Sequence, residues 1–134
     1  MGDWNKAVIE EFRANEGKVG GHFENMSLLL LHTTGAKSGK PRINPVVYLE
    51  DGNNLVIIAS KGGASMHPAW YHNLVANPEV SVEVGIDKFK VQATAIEEPE
   101  RSKLYSKMSV KYPFFDEYRQ KTDRVIPVVT LTRN

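Results

Sequence analysis

The sequence predicts a mostly β chain of the α+β class, with six strands closed into an antiparallel barrel and helices filling the gaps. Three observations predict it. Six short runs carry β-branched, aromatic or leucine residues at strand length. Turn signals such as Asp51-Gly52 and Gly85-Ile86-Asp87-Lys88 join several of these runs as hairpins. Helical spacing is confined to short segments before and between the runs.

The elements follow in order. Trp4, Val8 and Phe12, with Ile9 beside them, recur at helical spacing, so a first amphipathic helix is expected over about Asp3 to Asn15, with Asp3 as N-cap. Gly17, Gly20 and Gly21 then make a flexible joint, and residues 1–20 read as helix plus joint. Strands are expected over Ser27–Thr33, Ile43–Glu50, Leu55–Ser60, Val80–Val84, Phe89–Ala95 and Val125–Thr132. Helical pieces are expected over Pro68–Ala76, stopping before Asn77-Pro78, over Glu98–Val110, and over Phe114–Thr122. No repeat, low-complexity segment or linker divides the 134 residues, so 1–134 reads as a single domain.

Composition excludes several classes. There is no cysteine, hence no disulfide scaffold, cysteine nucleophile or thiolate metal site. The net charge of +1 gives the chain no general pull on nucleic acid. The polar start is not a signal peptide, and the longest apolar run, Leu28 to Leu31, is far below the roughly 20 residues of a membrane span. The chain therefore reads as cytoplasmic. The apolar face of the first helix permits docking on the barrel, covering of the site or peripheral contact with a membrane. Gly35-Ala36-Lys37-Ser38-Gly39-Lys40 is one residue short of a P-loop, and Pro41 stands where a magnesium-binding hydroxyl is required. His67 and His72 are five apart, on different sides of a helix, so no metal site is expected.

The informative stretch runs from Thr33 to Lys61. It carries Lys37, Lys40, Arg42 and Lys61 against Glu50 and Asp51, four positive charges and two negative in a chain otherwise near balance. Glycines let a backbone approach an anion closely, Thr33, Thr34 and Ser38 add hydroxyl donors, and an arginine suits bidentate phosphate contact. If strands Ile43–Glu50 and Leu55–Ser60 pair as a hairpin, the turns carrying Lys37, Arg42 and Lys61 lie at one end of the barrel. Trp70 and Tyr71 follow the second turn, and Tyr112, Phe114, Phe115 and Tyr118 cluster later, which suits a pocket for a flat ring. Charge composition alone does not separate a nucleotide, a polyanion and ordinary solvated turns.

Three linked motifs carry a resemblance. Thr33-Thr34-Gly35-Ala36-Lys37-Ser38-Gly39-Lys40-Pro41-Arg42-Ile43-Asn44-Pro45, then Ala59-Ser60-Lys61-Gly62-Gly63, then Pro68-Ala69-Trp70-Tyr71-His72-Asn73-Leu74 closely resemble the deazaflavin-dependent nitroreductase family. Val75-Ala76-Asn77-Pro78 and Thr122-Asp123-Arg124-Val125-Ile126-Pro127 fit as well. The resemblance implies a split β-barrel of the FMN-binding kind, the coenzyme F-420 as cofactor, and hydride delivery from the reduced deazaflavin to an electron-poor small molecule such as a quinone, enone, lactone or nitro compound. It implies Lys37, Ser38, Arg42 and Lys61 at the phosphate and acidic tail, and Asn44, Pro45, Ala59, Ser60, Trp70 and Asn73 along the cofactor. Tyr48, Tyr112, Phe115 and Tyr118 are the expected substrate-binding residues, with Tyr112, Tyr118 and Ser60 as candidates for catalysis. Phe115 and Val47 stand where the nitroimidazole-reducing member has tyrosines, which favours quinones and enones as acceptors. Competing readings are an FMN-type reductase, a non-enzymatic cofactor or lipid carrier, and a barrel for single-stranded nucleic acid. The chain is expected as a monomer or homodimer.

Overall fold

The computed structural model describes residues 2–23 and 25–133, with side chains from residue 6 onward except residue 22. Six strands, β1 (Leu28–Thr34), β2 (Pro41–Asp51), β3 (Asn54–Ile58), β4 (Glu79–Val84), β5 (Asp87–Ala95) and β6 (Val128–Arg133), form a barrel in the order β1-β2-β3-β6-β5-β4. Every neighbouring pair is antiparallel, and β4 closes on β1 through Leu30↔Glu83 to His32↔Ser81. Helix α1 (Gly2–Ala14) precedes the barrel; α2 (Ala69–Ala76) joins β3 to β4; α3 (Glu100–Lys111) and α4 (Phe114–Gln120) join β5 to β6. The expected closed antiparallel barrel is the one observed.

The alternation of side chains along each strand assigns the core. Leu29 and Leu31 point into the barrel with Ile57, Val82, Val91, Val129 and Leu131, and Trp70 and Leu74 of α2 belong to the same cluster. Leu28 and Leu30 point outward and are covered by Val8 and Phe12 of α1. The four-leucine run is thus a strand buried on both faces, which explains its lack of alternation. On the outer face of β3 and β6, Val56, Ile58 and Val128 meet Leu104, Tyr105 and Met108 of α3, and Phe115 of α4.

Most boundaries differ from expectation by one to three residues, and three features of the chain show physical reasons for such differences. β3 ends at Ile58 because Ser60 is already helical (φ −78°, ψ −37°) and opens a 3-10 turn, Lys61–Gly63. β6 starts at Val128 rather than Val125, directly after Pro127, which has no N–H to give to a ladder. The glycine joint after α1 is packed: an added Cβ on Gly17 (φ +93°) would lie 2.7 Å from Gly85 Cα, and Gly20 N–H donates to the Glu11 carboxylate at 2.6 Å. The expected N-cap Asp3 and the side chain of Trp4 lie outside the described side chains. Among the described residues, no helix is long and apolar enough to cross a membrane.

A charged cluster fixes α1 to the barrel wall. Arg13 donates to both oxygens of Glu83 (3.1 and 2.7 Å), and His32 Nε2 lies 2.5 Å from the same carboxylate. The hydrogen bond from Arg13, then that from His32, holds the Glu83 carboxyl below its ordinary range. A depressed carboxyl contributes stability above the ordinary carboxylate range and loses it as pH falls through the lowered folded value. Glu83→Gln is therefore expected to cost about 1 kcal/mol at pH 7, small because Arg13 is half exposed. The loss shrinks on acidification, as paired urea titrations at pH 7 and pH 3 would record.

Candidate functional site

A cavity of about 560 Å³ opens where β2 and β3 part company. β2 is eleven residues long and β3 only five, and their pairing runs from Tyr48↔Ile57 to Asp51↔Asn54. Residues 41–47 of β2 therefore have β1 on one side and no strand on the other. Pro45 sits in that stretch, where a strand tolerates a residue with no N–H to give. The cavity walls are Asn44 to Val47 of β2, then Ile58, Ser60, Lys61 and Gly62 at the end of β3. Pro68, Ala69 and Trp70 open α2, Phe114, Phe115 and Tyr118 come from α4, and Phe23 and Met26 complete the wall.

The basic end has the predicted geometry. The β2–β3 hairpin brings the loop before β2 and the turn after β3 to the same end of the barrel. Glu50 and Asp51 are carried to the other end, where Asp51 pairs with Lys107 at 2.8 Å. Among the described residues, the side chains of Lys37, Lys40, Arg42 and Lys61 have no ion pair, and all four are exposed. Unpaired cations gathered at one rim are a donor set for an anion.

Both turns are held from behind. Gly35 N–H donates to Lys40 O at 2.8 Å and Gly39 N–H to Gly35 O at 2.9 Å, closing the first loop on itself. An added Cβ on Gly35 would run into Ser38 Oγ. Asn73, on the buried face of α2, accepts from Ala36 N–H at 2.9 Å and donates to Thr33 Oγ1 at 3.2 Å. Trp70, one turn earlier on α2, lines the cavity, so a single helix sets both the cavity wall and the loop. The second turn holds Lys61, Gly62 and Gly63 at φ +48°, +63° and +82°. Gly63 lies against α4, where a Cβ would come within 2.7 Å of Tyr118 O. Arg124 supports this turn through the carbonyls of Ala59, Ser60 and Ala64.

The expected site residues fall into three groups. Asn44, Pro45, Ser60, Lys61, Trp70, Phe115 and Tyr118 line the cavity. Lys37, Ser38 and Arg42 are not part of the lining: Lys37 and Ser38 lie in the exposed loop before β2, and Arg42 lies in β2 opposite Thr33. Ala59, Asn73, Tyr48 and Tyr112 lie outside the lining. Ala59 is fully buried, and Tyr48 packs against the barrel core. The Tyr112 hydroxyl accepts Ser27 N–H at 2.8 Å, whereas no hydrogen bond to protein engages the Tyr118 hydroxyl among the described residues.

Burial and then Glu50 push the Tyr48 phenol up, and burial pushes Tyr105 up to about 12, with its hydroxyl donating to Phe115 O at 2.6 Å. That bond ties α4 to α3 behind the cavity. His67 and His72 require a correction: His67 precedes α2, so helical spacing does not separate them, and their rings lie 5.7 Å apart. Among the described residues, no three His, Asp or Glu side chains gather as a metal site. Phe23, Met26 and Arg124 went unassigned from sequence. Phe23 and Met26 are brought in from the loop before β1, and Arg124 from the loop before β6.

A family model described as F420H(2)-dependent quinone reductase matches residues 4–133. An F420H(2)-dependent quinone reductase of Mycobacterium tuberculosis is 40% identical over 126 residues, covering 91% of this chain and 85% of that protein. A solved F420-H2 dependent reductase is 41% identical with a TM-score of 0.72, covering 84% of this chain and 99% of that one. Another solved structure, described as a domain-swapped dimer, is 37% identical with a TM-score of 0.74, covering 97% and 98%. The fold is that of the split, flavin-binding barrels.

Proposed function

The chain belongs to the F420H(2)-dependent quinone reductase family, and from that membership we propose that its cleft holds coenzyme F-420 beside a flat, electron-poor acceptor, a quinone in preference to an enone or lactone. One observation carries the reading: a cavity of about 560 Å³ with aromatic walls is lined by Lys61 and by the β2 stretch that follows Arg42 and the loop bearing Lys37 and Lys40, and none of these four cations has an ion-pair partner among the described residues. A planar ring with an anionic arm matches that pairing of surfaces. When bound, the reduced deazaflavin supplies hydride.

The chain's own residues do the rest. Lys37, Ser38, Arg42 and Lys61 take the phosphate and acidic tail, with Asn73 fixing the loop that bears Lys37. Asn44, Pro45, Ser60 and Trp70 border the ring, and Ala59 backs the turn. Phe115 and Tyr118 form the acceptor wall, with Tyr48 and Tyr112 behind it. Of the three catalytic candidates, Tyr118 is the best placed to hold the proton delivered to the acceptor, since it lines the cavity and its hydroxyl is uncommitted. Tyr112 is already engaged by Ser27 N–H, and Ser60 orients the ring edge. Phe115 offers no hydroxyl, which favours quinones over nitroimidazoles.

The reading places the chain in the cytoplasm, where cofactor and acceptor arrive by diffusion. Val8 and Phe12 are buried against the barrel, which leaves α1 less apolar surface for a bilayer. The domain-swapped neighbour supports a homodimer over a monomer.

Fluorescence-quenching titrations with F-420 and with FMN, followed by a panel of quinone, enone and nitroimidazole acceptors, test the proposal. F-420 is expected to bind, and a quinone to reoxidise the reduced form fastest. Tight FMN binding without F-420 binding points to a conventional flavin reductase. F-420 binding with no acceptor-dependent reoxidation points to a carrier. Salt-sensitive oligonucleotide binding in place of either cofactor points to a nucleic-acid barrel.

A further inference from the structure

We propose that Arg124, with neutral His67 as its acceptor partner, is a positioning residue that holds the Ser60–Gly63 turn in the shape that presents Lys61 to the anionic arm of the cofactor. The inference rests on the F-420 reading above.

The turn needs an external restraint. Lys61, Gly62 and Gly63 all have positive φ (+48°, +63° and +82°), and for Lys61 that conformation is unfavourable. Inside the turn, Gly63 N–H donates to Ser60 O at 3.0 Å and Ala64 N–H to Lys61 O at 3.1 Å. Arg124 grips the turn from both flanks. Its Nε donates to Ala64 O at 2.9 Å, Nη2 to Ser60 O at 2.7 Å, and Nη1 to Ala59 O at 3.2 Å. All three nitrogens are engaged, in the planar fork that a lysine cannot reproduce. No described carboxylate pairs with this guanidinium, so its hydrogen-bonding capacity is committed to the turn and to His67. Arg124 is absent from the cavity lining while Lys61 is part of it, so Arg124 acts through the turn.

His67 makes the grip sensitive to protons. Its Nδ1 lies 3.0 Å from Arg124 Nη1, a cationic donor, so only an imidazole with a lone pair on Nδ1 completes the contact. The groups facing His67 are Arg124 from the loop before β6, and Tyr71 (rings 4.8 Å apart) and His72 (5.7 Å) from α2. None of these is an acid. Burial, then Arg124, then His72 lower the His67 value from the ordinary 6.5, in keeping with a neutral ring at neutral pH. Protonation turns Nδ1 into a donor and sets a second cation against Arg124. Arg124 then loses one of its four contacts and faces a like charge, its hold on the turn loosens, and the binding of an anion through Lys61 weakens.

The test uses the full chain and F-420 itself, read by fluorescence at pH 7.5 and pH 5.0, with amide exchange as a second readout. Arg124→Lys is expected to weaken F-420 about tenfold and Arg124→Ala more, with faster exchange at Gly63 and Ala64 but unchanged exchange in the barrel strands. Wild type is expected to lose several-fold in affinity between the two pH values. His67→Gln, whose carbonyl accepts but does not titrate, is expected to lose much less. Arg124→Lys with wild-type affinity and wild-type exchange overturns the positioning role. A His67→Gln profile that tracks wild type overturns the role of the histidine. Should Arg124→Ala fail to fold, Arg124→Lys and His67→Gln still decide. If wild type itself binds no F-420, the functional reading fails, and the exchange at Gly63 and Ala64 still judges the grip.

Discussion

Replacing Lys37 and Arg42 together by alanine is expected to weaken binding of reduced F-420 about a hundredfold at low salt, while leaving the melting temperature close to that of wild type. The size follows from two charge-assisted contacts, each worth roughly 1–2 kcal/mol at an exposed rim. The tolerance in stability follows because neither side chain makes an ion pair among the described residues, and both are exposed. Salt separates this anchor from a packing effect. Near 1 M salt the Debye length is about 3 Å, so wild-type affinity falls toward that of the double variant and the gap narrows. Lys107→Ala makes the matching control: it removes a cation paired with Asp51 at the other end of the barrel, and F-420 affinity is expected to stay at the wild-type level. Equal affinity of the Lys37/Arg42 double variant and wild type at low salt would dismiss the anchor, and with it the placement of the phosphate arm.

The contrast between these two lysines shows what a sequence can and cannot display. That Lys37, Arg42 and Lys61 share one end of the barrel follows from local information. An Asp51-Gly52 turn sends the chain back antiparallel, and returning to the starting end is geometry. The barrel itself was legible for the same reason, since four of its six pairings join strands consecutive in sequence. The doubly buried Leu28–Leu31 run was visible as a strand, but not which helix covered its outer face. That required Val8 and Phe12 to arrive from a segment whose periodicity permitted several partners.

Hydrogen bonds spanning long stretches of chain left no such trace. The Tyr112 hydroxyl, a candidate for catalysis beside the family resemblance, is taken by the N–H of Ser27, 85 residues away. Arg124 reaches carbonyls 60 to 65 residues upstream, and a carbonyl carries no side-chain signature to pair it with. The sequence offered only the place of Arg124 within the Thr122–Pro127 motif of the resemblance, at the mouth of the apolar stretch Val125 to Thr132, and neither says which groups it holds. Phe23 and Met26 gave even less, as isolated apolar residues in a loop become cavity wall only once the barrel sets their neighbours.

Gly63→Ala is expected to destabilise the chain by about 3 kcal/mol and to open the acceptor side of the cleft. Two costs add. The backbone stands at φ +82°, in the left-handed region where an L side chain costs roughly 1–2 kcal/mol. The new Cβ would also sit 2.7 Å from Tyr118 O and 3.0 Å from Lys121 Cβ, and the first of these is backbone that no rotamer change relieves. Helix α4 has little room to retreat, because the Tyr105 hydroxyl holds Phe115 O at 2.6 Å on its other side. The strain therefore falls on the stretch that carries Phe115 and Tyr118 into the cavity. Gly62→Ala separates the two costs: its φ of +63° imposes a comparable backbone penalty, but nothing lies within 4 Å of the added Cβ. Urea titrations should thus show a loss of about 1 kcal/mol for Gly62→Ala and about three times that for Gly63→Ala. In Gly63→Ala the KM for a quinone is expected to rise more than kcat falls, since the wall that orients the acceptor moves while the basic loop at Lys37, held by Asn73, stays in place. If the two alanine variants prove equally mild, the contact between the turn and α4 is soft, and the wall formed by Phe115 and Tyr118 is free to move independently of the turn that bears Lys61.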